Sequence, residues 1–191
     1  MMMETTKPAH IGKERNVYHI VILGLNETRW SGSGKHCTPQ GGILLYSGKP
    51  MKDKHESGVR ILMSPKAHKS LTEWKPISDR IIMARFSTKL RKLVLIQCYA
   101  PTEQATTDEK DAFHETLENT LRNAKRSEIT LVIGDLNAKV GADNKNFEHA
   151  MGRHGLGNMN ENGERFSELC SNNNLVPCGI RNQLDVRPSS L

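Results

Sequence analysis

An acid and an amide stand two residues apart just past an apolar run. In "LVIGDLNAKVG", residues 131–141, Asp135 and Asn137 follow Leu131, Val132, Ile133 and Gly134. A buried-strand pattern that stops at a glycine and then presents a carboxylate and a carboxamide suits a ligand site at a strand end, where α/β sheets usually bind. Two further residues fit that pattern. Glu27 follows the apolar stretch "VYHIVILGL" (17–25), and Tyr99 closes "LVLIQCY" (93–99). If the early strand runs the same way as the other two, Glu27, Tyr99, Asp135 and Asn137 gather at one rim. Two carboxylates with room for water suit Mg²⁺, a hard ion that takes oxygen ligands and keeps waters and phosphate oxygens. Such an ion polarises a phosphoryl oxygen and steadies a leaving group. Asn137 offers both a donor and an acceptor to a water or phosphate, and Tyr99 offers one phenolic hydrogen. Each residue also has a plainer reading: Glu27 on the surface, Tyr99 at a core edge, Asp135 opening a turn. "SGSGK" (31–35) lacks the GxxxxGK[ST] spacing, which excludes a P-loop.

Strands and a helix must carry these residues. "GILLYSG" (42–48), "GVRILMS" (58–64) and "RIIMARFS" (80–87) read as strands whose short polar separators make antiparallel neighbours. "KLRK" (89–92) reads as a solvated hairpin turn. Thr106 and Glu109 have capping-box spacing, and Phe113, Leu117, Leu121 and Ala124 share one helical stripe. Acids crowd that helix start and Arg122, Lys125 and Arg126 its end, as the macrodipole favours. Strand, helix and strand over 93–134 form a crossover, which makes the two strands parallel if they share a sheet. "SGSGKHCTPQGG" (31–42) and residues 142–160 read as loops. "ENGERFSELCSNNN" (161–174) reads as a short helix and "LVPCG" (175–179) as a last strand.

With 191 residues, 36% of them apolar and 25% charged, the chain suits one globular domain, placed at 17–180. A polar segment (1–16) precedes it and an irregular tail (181–191) follows. Lys and Arg exceed Asp and Glu by 27 to 21, a charge of +6 that favours anionic partners such as nucleic acid. The four cysteines form no CxxC pair, which argues for reduced thiols and against a zinc site. "MMMETTKPAHIGKERN" has no apolar signal core, and "IVILGL" is far shorter than the ~20 residues of a membrane span. The chain reads as soluble and intracellular, with no membrane partner and no small-molecule cofactor.

Taken together the motifs carry a resemblance. "VIGDLNAKVG" resembles the GDxN motif of the endonuclease/exonuclease/phosphatase superfamily, "ILGLNETRWSGSG" its metal-binding glutamate strand, and "LIQCYAPT" its active-site tyrosine strand. "SDRI" (78–81) falls between them in order, and "GNMNENGERFSELCSNNNL" extends the match. From about Tyr18 to about Gly179 the chain is similar to endonuclease domains of RTE-type non-LTR retrotransposons and to craniofacial development protein 2-like proteins. The resemblance implies an α/β fold, a four-layer sandwich of two mixed sheets face to face with helices outside. It implies Mg²⁺-dependent phosphodiester cleavage of DNA, as in apurinic endonucleases, with Mn²⁺ as an alternative ion and the nucleus among the locations. On that reading Glu27 binds the metal, Tyr99 contacts the phosphate, Asp135 activates the attacking water, Asn137 positions it, and Arg80 supports the substrate. The family's opening strand with its asparagine has no match before Tyr18. Its closing aspartate–histidine pair has none in "IRNQLDVRPSSL" (180–191), and no histidine follows His154. A fold incomplete at both ends is therefore expected. Two other readings stand beside the nuclease: a catalytically dead nucleic-acid or chromatin-associated protein, and a small-molecule phosphatase of the same superfamily.

Overall fold

The computed structural model describes residues 18–27, 30–39, 41–50, 57–141, 147, 150 and 157–177. The expected polar segment and tail lie outside the described residues. The chain forms two compact units, Met1–Ala100 with Asp111–Asp135, and Pro101–Lys110 with Leu136–Leu191.

The first unit holds two four-stranded sheets. One has the order β1-β4-β3-β2, built from β1 (Ile22–Leu25), β2 (Ser33–Cys37), β3 (Ile43–Gly48) and β4 (Gly58–Met63). Its described strand pairs are all antiparallel. The other has the order β5-β6-β7-β8, built from β5 (Leu71–Ser78), β6 (Ile81–Ser87), β7 (Lys92–Tyr99) and β8 (Ile129–Asp135). Among the described residues only this second sheet is mixed, because it contains a crossover: β7 and β8 run parallel through the helix α2 (Thr107–Arg122). A four-residue helix α1 (Pro65–His68) joins the sheets, capped by Ser64, whose Oγ accepts from Ala67 N.

Alternation along the strands builds the core between the sheets. Leu45, Val59, Ile61 and Met63 from one sheet meet Ile82, Ala84, Phe86 and Leu95 from the other, all buried. Full burial of each of these side chains larger than alanine contributes about 1.5–3 kcal/mol. The opposite phase of the second sheet is buried as well, through Ile81, Met83, Val94, Ile96 and Cys98. The α2 stripe Phe113, Leu117 and Leu121 is buried too. The capping box forms as expected: Glu109 accepts from Thr106 N, and Thr106 Oγ1 accepts from Glu109 N.

Four expectations change. The early strand covers only Ile22–Leu25, and Tyr18 and His19 form a turn. The "loop" at 31–42 contains β2, an exposed edge strand with no apolar alternation to announce it. An unexpected strand, β5, lies at the other sheet's edge, where its Pro76 is tolerated because one side needs no ladder donor. As a result "GVRILMS" and "RIIMARFS" are not neighbours but lie in different sheets. Leu175, Val176 and Pro177 carry no strand, and the rest of "LVPCG" lies outside the described residues.

In the second unit, helix α3 (Glu161–Asn173) is capped by Asn160 at its start and by left-handed Asn174 at its end. Val140, Ala150 and Cys170 form its small core, with Phe147, Phe166 and Leu175 packed against them.

Candidate functional site

The rim drawn from sequence is assembled differently. Glu27 does not belong to the sheet of Tyr99 and Asp135, since it follows β1 of the antiparallel sheet. The face-to-face packing of the two sheets still brings it to the C-terminal ends of β7 and β8. The Tyr99 hydroxyl donates to Glu27 Oε1 at 3.0 Å. Tyr99 is paired with Asp135 across the parallel ladder, and Ala100 N donates to the Asp135 carbonyl at 2.9 Å. Arg80 joins them: its carbonyl accepts from Tyr99 N at 2.9 Å, and its guanidinium donates to the Tyr99 carbonyl at 3.3 Å. That guanidinium also lies 5.3 Å from the centre of the Tyr99 ring.

The local backbone explains the residue types. Gly134 has φ +136°, and a Cβ there would lie 1.8 Å from the Cys98 carbonyl oxygen on β7. Only glycine lets β8 approach its parallel partner this closely while turning Asp135 to the strand end. Glu27 sits at φ +54°, a left-handed conformation that costs a non-glycine residue of order 1–3 kcal/mol. Side chains hold it there. Tyr99 grips its carboxylate, and Gln97 Nε2 donates to Asn26 Oδ1 next to it. Arg60 stacks on Trp30, three residues on, at 3.8 Å from the ring centre.

Burial raises the Tyr99 phenol above its ordinary value, and the Glu27 hydrogen bond adds to this, with Arg80 opposing. Tyr99 is therefore a proton donor, not a phenolate, at neutral pH. Cys98 is pushed up to about 12 by burial and by the nearby Asp135 charge, which keeps it an inert thiol.

Asn137 belongs to the second unit and has its own support. It is also left-handed, at φ +49°. Its carbonyl accepts from Asn160 Nδ2 at 3.1 Å and from Asn162 Nδ2 at 3.4 Å. Asn160 is a hub. Its Oδ1 accepts from Lys139 N and Gly163 N, both at 2.8 Å, while its Nδ2 also donates to Glu103 at 2.6 Å. Asn162 is fully buried and donates to the Pro101 carbonyl at 3.0 Å. Lys110 bridges Glu161 at 2.7 Å and Glu103 at 3.5 Å, and the Glu161 bond raises its pKa.

So Glu27, Tyr99, Asp135 and Arg80 come together in the first unit, and Asn137 is held in the second. Sequence reasoning missed the supporting residues Gln97, Glu103, Asn160 and Asn162. Gln97 was visible as a lone amide in an apolar strand. Asn160 was visible as a capping residue, but its second task of holding Asn137 depends on a contact 23 residues away in sequence.

The donor chemistry fits a hard divalent ion. Among the described residues no group of three or more His, Cys, Asp or Glu gathers to hold a metal. Mg²⁺ does not need one, because it is usually bound through one or two carboxylates with water and substrate phosphates. Glu27, hydrogen-bonded by Tyr99, is a carboxylate that could hold such an ion. No described helix is long and apolar enough to cross a membrane.

No protein-family model matches the chain. Among curated proteins it is 33% identical over 179 residues to craniofacial development protein 2 of Bos taurus, covering 94% of this chain. The chain spans only 29% of that relative's length. Among solved structures it resembles the AP endonuclease LMAP from Leishmania major, with a TM-score of 0.58, 12% identity, and 88% of this chain and 62% of that one covered. It also resembles the endonuclease domain of TRAS1, a telomere-specific non-LTR retrotransposon, with a TM-score of 0.54, 12% identity, and 88% and 66% covered. These likenesses establish the fold that the motifs implied.

Proposed function

We propose that the chain, whose fold resembles those of an AP endonuclease and of the TRAS1 endonuclease domain, is a Mg²⁺-dependent DNA endonuclease of retroelement type within the endonuclease/exonuclease/phosphatase superfamily. The observation that carries the proposal is the Glu27–Tyr99–Asp135 cluster, assembled from the ends of strands in two different sheets. A bound Mg²⁺ would neutralise charge on the scissile phosphate. Glu27 would hold that ion, and the left-handed backbone at Glu27 fixes where its carboxylate points. Asp135 takes a proton from the attacking water, and Asn137 orients the water or a phosphate oxygen. Tyr99 has a single hydroxyl proton, so it donates either to Glu27 or to a phosphate oxygen, and it exchanges the first for the second when substrate arrives. Arg80, against the Tyr99 ring and carbonyl, steadies the tyrosine and adds positive charge near the phosphate.

The experiment is nicking of supercoiled plasmid by the purified chain with Mg²⁺, with EDTA, and by Glu27→Ala. The reading expects open circles with Mg²⁺ that disappear with EDTA, and Glu27→Ala to require far more Mg²⁺. Nicking that persists unchanged in EDTA would defeat it. DNA binding without nicking would favour the catalytically dead alternative, and turnover of inositol phosphates in place of DNA the phosphatase.

A further inference from the structure

A group of exposed cations lies at the end of the first unit away from the candidate site. At the site end the carboxylates of Glu27, Asp79 and Asp135 offset the cations Arg60 and Arg80. The exposed cations are at the other end of the second sheet. The β6–β7 hairpin carries Lys89, Arg91 and Lys92, all exposed. Thr88 closes its turn: Oγ1 donates to the Arg91 carbonyl at 2.6 Å and accepts from Arg91 N at 3.1 Å. The turn from α2 into β8 carries Lys125 and Arg126, also exposed. The parallel register sets these two connections side by side, because Leu93, one residue past the hairpin, pairs with Ile129, three residues past Arg126. Lys69 lies on the same end, since the next residue, Ser70, accepts from Ser87 N at the hairpin's base.

Among the described residues none of these six cations has an ion-pair partner. The acid closest in sequence, Glu128, is committed elsewhere: it pairs with Arg85 at 3.0 Å and accepts from Lys125 N. The strand β7 from Leu93 to Tyr99 spans roughly 20 Å at about 3.3 Å per residue, so this end is far from the reacting atoms.

We propose that this basic end, formed by Lys69, the 89–92 hairpin and the 125–126 turn, is a second nucleic-acid surface that grips phosphate backbone away from the cleavage site. The charge density suits the partner, since duplex DNA offers one phosphate charge per about 1.7 Å of axis. The Thr88 turn brings the backbones of its three cations together at one strand end. Leu90 at the tip is 93% exposed and raises the rival of an anionic membrane. A single inserted leucine yields only about 1.5–3 kcal/mol, and reversible membrane anchoring generally takes more than one such signal. The cations outnumber it.

The test is fluorescence anisotropy of labelled duplex DNA in EDTA, which leaves out any metal-dependent step, from about 50 to about 200 mM salt. Wild type is compared with K89E/R91E/K92E and, in a separate connection, with K125E/R126E. Far-UV circular dichroism melts confirm that each variant is folded. The hairpin variant should shrink the slope of log K against log salt by about 2 to 3 and weaken binding roughly tenfold or more. The turn variant should move both in the same direction by a smaller amount. Unchanged slope and affinity in both folded variants overturn the proposal. So does wild-type binding to phosphatidylserine vesicles without binding to the duplex.

Discussion

Asn160 is the point where fold and proposed chemistry meet, so its substitution gives the most informative perturbation. Its side chain makes four hydrogen bonds, accepting from Lys139 N and Gly163 N and donating to the Asn137 carbonyl and Glu103. Asn160→Ala removes all four. At a net of about 0.5–1.5 kcal/mol each, with losses that overlap, the cost is about 2–4 kcal/mol. For a chain of this size that lowers Tm by about 4–16 °C. Asn160→Asp separates the two halves of the residue's work. A carboxylate still accepts from Lys139 N and Gly163 N, so the cap of α3 survives. It can no longer donate to Asn137, and it faces the Glu103 carboxylate. The expected stability loss is about 1–2 kcal/mol, while the Asn137 carbonyl keeps only the Asn162 donor of its two side-chain donors. A small displacement of a positioning group can cost about 10²-fold in rate, so nicking should fall by about 10- to 100-fold in both variants. Circular dichroism melts report the first quantity. Nicking rates, taken well below both melting temperatures, report the second. Asn160→Asp that melts lower yet nicks like wild type would refute the link from Asn160 to Asn137.

Two further outcomes follow from the first unit. Gly134→Ala, which would place Cβ 1.8 Å from the Cys98 carbonyl oxygen, should destabilise by more than about 2 kcal/mol, against the usual gain from replacing glycine; a melt at or above wild type would contradict the close approach of β7 and β8. The raised Tyr99 phenol keeps its proton in the native chain to higher pH than in the unfolded one. The unfolded state releases that proton first, so native stability falls as pH rises above about 10, and below that the group adds no pH dependence. Tyr99→Phe should therefore flatten the alkaline fall in urea midpoint and remove from the ultraviolet titration a tyrosinate step lying above about 10. An unaltered alkaline limb would contradict the environment described for Tyr99.

What could be read from the sequence divides along physical lines. Strands β3, β4, β6 and β7 and helices α2 and α3 were legible because each buries apolar side chains, and β8 from its apolar run alone. Strands β2 and β5 were not, because edge strands such as "SGKHC" and "LTEWKPIS" are set by pairing with a neighbour and need no apolar alternation. The parallel pairing of β7 with β8 was legible from the crossover helix. That Glu27 stands on the other sheet was not, since nothing in "ILGLNET" specifies which sheet its strand joins. Asp135 and Asn137 could be singled out by their position after an apolar strand, although β8 is not the buried strand its apolar run suggested: as a sheet edge it leaves Ile129 and Leu131 exposed and only Ile133 packs on the core. The residues that hold them, Gln97 and Asn160 above all, act through contacts remote in sequence and leave only a polar residue in an unexpected place.

The central claim is that Asp135, brought beside Tyr99 and Glu27, activates water against a phosphodiester. It is tested most directly by single-turnover plasmid nicking with Mg²⁺, comparing wild type with Asp135→Asn purified in parallel, alongside DNA affinity measured in EDTA. Loss of a general base costs ~10²–10⁴-fold, so the account expects a drop of that size with affinity nearly unchanged. Equal nicking rates for the two proteins would contradict it.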